Sequence, residues 1–185
     1  AGQYQIPASG TASNLVNAVI RNNDPGTRRA GGNLILAGTG TFANVTYTGP
    51  GNTIVRDTGD DSVTTVEGGG QVTFTGSIGQ RHAVTVKDGE AVIAGTVDAG
   101  FGSNFASLTM NSTTGESVIR NNAPALTLAG GLAATVGDSD VIVANNGGLG
   151  FGRDVEVLGH GAGAFKVAGA ALDLNDTNLN VGGAV

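Results

Sequence analysis

Two turn-like stretches contain clusters of acidic side chains. Their residue types and spacing make them the strongest candidates for ligand binding in this sequence. Asp57, Asp60 and Asp61 fall close together, and Asp173 and Asp176 belong to a second stretch rich in Asp and Asn. Ca²⁺ takes six to eight oxygen ligands, so these carboxylates predict a calcium site. Asp and Asn also favour turns without any ion, and no EF-hand pattern is present. Calcium is therefore one interpretation, ion-free turns are the other, and no further cofactor is expected.

Other catalytic patterns are weak or missing in the sequence. His82 and His160 are the only histidines, neither at a metal-ligand spacing, and both are predicted to be exposed turn residues. The glycine-rich residues 147–152 lack the Lys-Ser/Thr of a phosphate loop and predict a plain loop. Paired carboxylates can cleave glycosidic bonds, but such clefts generally need aromatic platforms and the chain has no Trp. We therefore expect a protein that is not an enzyme.

A glycine repeats every 19 residues through the first half of the chain, and a second turn residue follows each one six positions later. The opening residues are Gly32, Gly51, Gly70 and Gly89, and the closing residues are Gly38, Asp57, Gly76 and Gly95. The five residues between each pair predict a short strand. Gly and Asp adopt positive φ at little cost, so the closing residues predict turns. A fixed period with one bracketed strand indicates a solenoid.

Three later copies of this pattern keep the six-residue spacing but follow longer steps. Their closing residues are Asn121, Asn145 and Gly169, and the steps are 26, 24 and 24 residues. With a shortened copy that ends at Asn22, the pattern predicts about eight coils, each coil being one turn of the solenoid. A second, looser strand follows in most coils, for example at residues 63–66 and 84–86.

The predicted fold is all-β: a single-stranded β-solenoid, or β-helix, of about eight coils, with a period of 19 residues in the first half and 24–26 in the second. The 33 glycines and the 4% aromatic content favour many turns between short strands. Residues 1–31 are predicted to form an N-terminal extension with a first irregular coil or cap, and residues 32–185 the solenoid. Residues 11–21 also fit an amphipathic helix, and the strand interpretation is preferred there.

An apolar stripe is predicted along the outside of the solenoid. Positions two and four of each strand should point inward and positions one and three outward. Position three is nevertheless large and β-branched in five copies: Ile35, Ile54, Val92, Val118 and Ile142. Contiguous exposed apolar surface usually marks an interaction site, so the stripe predicts a lateral interface. The alternatives are a cover of loops and the ordinary preference of strands for such residues.

The ends of a solenoid suggest a second kind of contact. The first and last coils expose backbone N–H and C=O groups that the inner coils pair. A last coil stacked on the first coil of another copy would form a contact that propagates as a filament. Continuation into further coils of a longer chain is the alternative.

The charge balance disfavours nucleic acid as a partner. The formal net charge is −6, the pI is about 4.6, and Arg28 and Arg29 form the only basic cluster. Neutralising phosphates needs a concentrated positive surface, so nucleic-acid binding is not expected. No apolar run approaches the roughly 18 residues that a membrane span requires, so none is expected. The absence of Cys excludes disulfides and thiolate metal sites.

Three stretches resemble coils of β-solenoid surface proteins: residues 33–40, 70–76 and 84–89. The nearest examples are autotransporter passengers and haemagglutinin-like adhesins. The similarity covers residues 32–169 and consists of the order of strands and turns. It implies secretion to the cell surface and a role in adhesion, matrix or coat formation.

We therefore predict a non-enzymatic structural protein that associates with itself in an extracellular or cell-surface assembly. Lateral and end-to-end contacts between copies would form a filament, surface layer or matrix fibre. One alternative is an adhesin module that binds glycans or a receptor through the longer loops around residues 101–111 and 145–153. Another is a fibre or capsid decoration protein of a virion, since such proteins use similar repeated β-structure.

Overall fold

The computed structural model describes residues 4–6, 15–16, 19–21, 33–36, 42–55, 61–75, 81–94, 105–122, 126–128, 130–174 and 177–183. These residues form short strands joined by turns, and no helix occurs among them. In chain order the strands are β1 (Tyr4–Ile6), β2 (Leu15–Val16), β3 (Val19–Arg21), β4 (Asn33–Leu36), β5 (Phe42–Ala43), β6 (Val45–Thr48), β7 (Asn52–Val55), β8 (Val63–Glu67), β9 (Gln71–Phe74), β10 (His82–Lys87), β11 (Glu90–Ile93), β12 (Phe105–Ser112), β13 (Ser117–Asn121), β14 (Leu126–Leu128), β15 (Leu132–Val136), β16 (Val141–Asn145), β17 (Leu149–Phe151), β18 (Val155–Gly159), β19 (Phe165–Gly169), β20 (Leu172–Asp173) and β21 (Leu179–Gly182).

Every pairing between these strands is parallel. One sheet has the order β1-β4-β7-β9-β11-β13-β16-β19, and a second has the order β21-β18-β15-β12-β10-β8-β6-β3. Because the chain alternates between the two sheets, it winds as a coil of stacked strands. The predicted all-β fold and the β-solenoid are confirmed. No helix of the described residues is long and apolar enough to cross a bilayer.

Alternate residues of each strand point into an apolar core. Thr53 and Val55 are the buried residues of β7, and Val72 and Phe74 are those of β9. The inward direction predicted for positions two and four is therefore correct for these strands. The largest fully buried side chains are Phe74, Phe151, Ile93, Leu108, Met110, Ile119 and Leu128. Burial of this apolar area, at roughly 25 cal/mol per Å², is the main force that holds the coils together.

Strands in the N-terminal stretch extend the sheets. β1 pairs with β4, and β3 pairs with β6. The strand interpretation of residues 11–21 is confirmed at Leu15–Val16 and Val19–Arg21. The looser second strands predicted near residues 63–66 and 84–86 are also present, as β8 and β10.

A third sheet of three short strands, β14, β17 and β20, was not predicted. Leu126 lies beside Leu149, and Leu128 lies beside Phe151. All four of these side chains are buried. The prediction of a plain loop at residues 147–152 is wrong, because Leu149 and Phe151 alternate around a glycine and pack into the core.

The register between β11 and β13 also differs from the prediction. The repeat predicts Glu90 beside Glu116, but Glu90 lies beside Val118, two residues further along. Side chains alternate with a period of two, so this shift leaves the same side chains pointing inward. The later strands keep the predicted alignment, with Val118 beside Ile142.

Most predicted turn residues that the structure describes do not have positive φ. Gly169 does, with φ of 93°. Asn121 and Asn145 are instead the last residues of β13 and β16 and are fully buried. Their prediction as turns is wrong, because their amide side chains find hydrogen-bond partners inside the solenoid. Positive φ elsewhere occurs at Asn44, Asp61, Arg81, Asp88, Gly49, Gly68, Gly69 and Gly183.

Gly70, one of the opening glycines, has a different physical role from the one predicted. A Cβ added at Gly70 would lie 2.1 Å from the backbone oxygen of Gly49, one coil away. Glycine is therefore required there by the close approach of stacked backbones rather than by a turn. The predicted turn residues Gly32, Gly38, Asp57, Gly76 and Gly95 lie outside the described residues. Because parts of the early coils are among those residues, the eight coils and the 19-residue period are not confirmed.

Candidate functional site

The residues predicted to bind calcium are only partly described. Asp61 forms a bidentate ion pair with Arg81, with 2.5 Å from Arg81 Nε to Oδ1 and 2.5 Å from Nη2 to Oδ2. This contact holds the pKa of the Asp61 carboxyl below its usual value. Asp173 is an exposed residue of β20, and Asp57, Asp60 and Asp176 lie outside the described residues. No group of three or more acidic or histidine side chains suited to a metal occurs in the described part of the chain.

His82 is buried, so its prediction as an exposed turn residue is wrong. It begins β10 and its side chain is fully shielded from solvent. Its Nδ1 lies 2.7 Å from Ser62 Oγ, and its Nε2 lies 2.8 Å from Thr64 Oγ1. Each hydroxyl donates to or accepts from the ring according to the tautomer. The two hydroxyls belong to the preceding coil, so the imidazole joins two coils from the inside.

A buried carboxylate also links neighbouring coils. Glu90 is 5% exposed, although position one of the strand is predicted to face solvent. Gln71 Nε2 donates to Glu90 Oε2 at 2.8 Å, and Arg120 Nε donates to Glu90 Oε1 at 2.8 Å. The carboxylate therefore has a neutral donor in the coil before it and a cationic donor in the coil after it. This arrangement offsets the cost of burying its charge.

Asp88 has a structural role at a turn. Its φ is 52°, and its carboxylate accepts hydrogen bonds from the backbone N–H groups of Thr113, Thr114 and Gly115. The two threonine hydroxyls also donate to Oδ2. Burial raises the pKa of this carboxyl, but the hydrogen bonds outweigh burial and leave the pKa lowered. The acceptor capacity of Asp88 is thus used to hold the turn of the next coil.

Two asparagines form a short ladder inside the solenoid. Asn121 Nδ2 donates to Asn145 Oδ1 at 3.1 Å and to the Gly148 carbonyl at 3.2 Å. Asn145 Nδ2 donates to the Ala171 carbonyl at 3.0 Å. Through these contacts the two buried amides satisfy much of their own hydrogen-bonding capacity, as buried polar groups in proteins generally do. Sequence analysis placed both residues at turns and therefore missed this role.

The predicted apolar stripe is divided into two parts. Ile35, Ile54 and Val92 follow one column, in which Val92 lies beside Arg120. Val118 and Ile142 follow the neighbouring column. Val92 and Val118 are each only 8% exposed. A single continuous stripe is therefore wrong, because the two-residue shift in register separates its members.

The coil formed by β19, β20 and β21 carries an exposed apolar surface. Val167, Leu179 and Val181 are 46%, 52% and 59% exposed. They continue the columns of Val143, Val155 and Val157, all of which are buried. A cavity of about 290 Å³ opens beside them, lined by Val155, Phe165, Val167, Leu172, Leu174 and Leu179. We call Val167, Leu179 and Val181 the end patch.

A groove of about 710 Å³, lined by polar and apolar groups, crosses the outer face of β12, β15 and β18. The middle coil contributes Gly131, Leu132 and Ala133; the Leu132 side chain is buried in the core, so the exposed side chains there are no larger than a methyl group. Side chains on either side come from Ser107 and Thr109 in one coil and from Arg153, Asp154 and Glu156 in the other. Residues 107–109 and 152–153 fall in the two stretches where binding loops are predicted, but residues 107–109 belong to the strand β12 and not to a loop. We call this feature the lateral groove.

Known proteins provide no guide to which of these features carries the function. No known protein family, curated protein or solved structure matches the chain.

Proposed function

We propose that this chain is a non-enzymatic structural protein that associates with itself, end to end, in an extracellular or cell-surface assembly. The end patch is the observation that supports this proposal most directly. Val167, Leu179 and Val181 continue columns of core residues, yet they are exposed among the described residues. β19 and β21 are also the outermost strands of their sheets among the described residues. Apolar side chains beside an unpaired strand edge favour the addition of further parallel strands.

The stacking of eight coils at a 19-residue period in the first half belongs to this proposal. In its support, Asn33, Asn52, Gln71 and Glu90 lie side by side in one column. Because the described strands of each sheet are parallel, the two outermost described strands of a sheet run in the same direction. The first coil of a second copy would then stack on the last coil of the first copy. Such a contact is heterologous, and it can propagate from copy to copy.

Sedimentation velocity over a range of concentrations, with electron microscopy of the same samples, tests this assignment. We expect the wild-type chain to form elongated species that increase with concentration. Val167→Glu together with Val181→Glu should reduce this association, because buried carboxylates without partners oppose it. Val63→Glu is the matched control, since Val63 is 38% exposed on β8, away from the end patch. A wild-type chain that remains monomeric at every concentration would contradict the proposal.

A further inference from the structure

We propose that the lateral groove binds a neutral oligosaccharide. The inference is independent of self-association, because the groove lies on the face of the second sheet and the end patch lies at the end of both sheets. Thr109, Ala133 and Glu156 are neighbours in register, one from each of three successive coils. With strands about 4.8 Å apart, the outer two members of this column are roughly 10 Å from each other. The missing side chains at the middle coil leave the space between them open.

Glycine is required at the floor of the groove. A Cβ added at Gly131 would lie 2.1 Å from the backbone oxygen of Asp154. The backbones of the two coils therefore approach too closely there for any side chain. The middle coil also contributes Leu132, whose side chain is buried in the core, and Ala133, which is exposed. The opening is thus built into the backbone of this coil.

The polar groups of the groove match the hydroxyl groups of a sugar. The side chains of Arg153 and Glu156 are exposed and form no hydrogen bond or ion pair with another described residue. A guanidinium only donates, an ionised carboxylate only accepts, and the hydroxyls of Ser107 and Thr109 do both. A sugar hydroxyl also does both, so a polyhydroxyl ligand can satisfy every one of these groups. Asp154 is partly used, since its Oδ1 accepts from the backbone N–H of Asn178 at 3.0 Å.

Charge and backbone pairing argue against other ligands. Asp154 and Glu156 outnumber the single cation Arg153, and the whole chain carries a net charge of −6, so acidic glycans are repelled. An extended peptide usually binds by adding a strand to a free sheet edge. β12, β15 and β18 all have hydrogen-bonded neighbours on both sides and offer no such edge.

Binding to an array of neutral, amino and acidic oligosaccharides, followed by calorimetric titration of the best binder, tests this inference. We expect neutral oligosaccharides to bind and Ala133→Leu to weaken binding at least about tenfold by filling the opening. Glu156→Gln and Arg153→Gln should weaken it by a similar factor. Thr65→Leu is the matched control, because Thr65 lies in the same outward column two coils from Thr109, and it should bind as wild type does.

Three outcomes would overturn the inference: no binding of any neutral glycan, binding of acidic glycans alone, or full binding by Ala133→Leu. Circular dichroism of each variant shows whether its strands are intact. Glu156→Gln changes only an exposed side chain, so the test stands even if Ala133→Leu fails to fold.

Discussion

Arg120 donates a hydrogen bond from Nε to Oε1 of Glu90, which lies 2.8 Å away in the neighbouring coil. The two side chains differ in environment, since that of Glu90 is 6% exposed and that of Arg120 is 42% exposed. The cation therefore reaches in from the surface to a carboxylate that is largely withdrawn from water. This pair connects the first-half coils to the second half at the point where the register shifts by two residues.

Removing Arg120 should destabilise the protein more than removing an exposed partner does. We expect Arg120→Ala to lower the free energy of unfolding by about 1–3 kcal/mol, because it leaves a buried carboxylate without its cation. Arg81→Ala is the control, because the Arg81–Asp61 pair is 67% and 60% exposed. It should cost clearly less than Arg120→Ala, because ion pairs between exposed side chains contribute little. Urea denaturation measures both values, and equal losses would contradict the importance of the buried pair.

The two histidines should respond very differently to substitution. His82→Ala removes a fully buried ring and leaves the hydroxyls of Ser62 and Thr64 without a partner on the ring, so we expect a loss of about 3–5 kcal/mol. His160→Ala changes an exposed side chain and should stay within about 0.5 kcal/mol of wild type. Thermal unfolding of the two variants makes the comparison. A mild effect at position 82 would mean that the ring does not join the two coils.

Asp88 should make the stability of the protein depend on acid. Its carboxyl pKa is lowered in the folded chain. Stability from such a group is fully present above the unfolded pKa of about 3.9 and is lost as pH falls through the lower, folded value. Asp88→Asn should therefore be less stable than wild type at pH 7 and should lose less stability below about pH 4. Urea midpoints at pH 7 and pH 3 give the comparison, and parallel losses in both proteins would count against it.

Two glycines at comparable turns test the close approach of the coils. Gly70→Ala places a methyl group against the backbone of Gly49 and should cost at least about 2 kcal/mol. Gly115→Ala meets its nearest neighbour, the Asp88 Cβ, at 3.4 Å, and its φ is not positive. It should be nearly neutral. Chemical denaturation of the two variants gives the free energy of unfolding of each. Similar decreases at both positions would show that the stacked backbones can move apart at little energetic cost.

Much of the architecture could be predicted because two independent patterns, the repeat and the alternation of apolar and polar side chains, indicate the same strands. Position four of the strand is apolar in each copy, and Val55, Phe74 and Ile93 all point into the core. The error in register at Glu90 and Val118 left this prediction intact, because a shift of two residues keeps each side chain on its own face.

The buried polar residues could not be predicted from local sequence. His82 depends on Ser62 and Thr64, one coil earlier, whose hydroxyls flank it only after the coils have stacked. A search at about one period upstream for two hydroxyl residues would have found this signal. Asn121 and Asn145 look like turn residues because Asn favours turns, and only their place at the end of buried strands gives them another use. The lateral groove exists because Gly131 and Ala133 stack beside residues with larger side chains, such as Thr109 and Glu156. The repeat length varies in the second half, so this alignment could not be read from the sequence.

The parallel stacking of coils has a consequence for how the protein unfolds. Among the described strands, each coil pairs only with the coils directly before and after it, so stability is close to a sum of contributions from neighbouring coils. A destabilising substitution in a central coil therefore divides the cooperative folding unit into two parts. The same substitution in a terminal coil only shortens that unit. The least stable interface between neighbouring coils therefore determines where the molecule unfolds first.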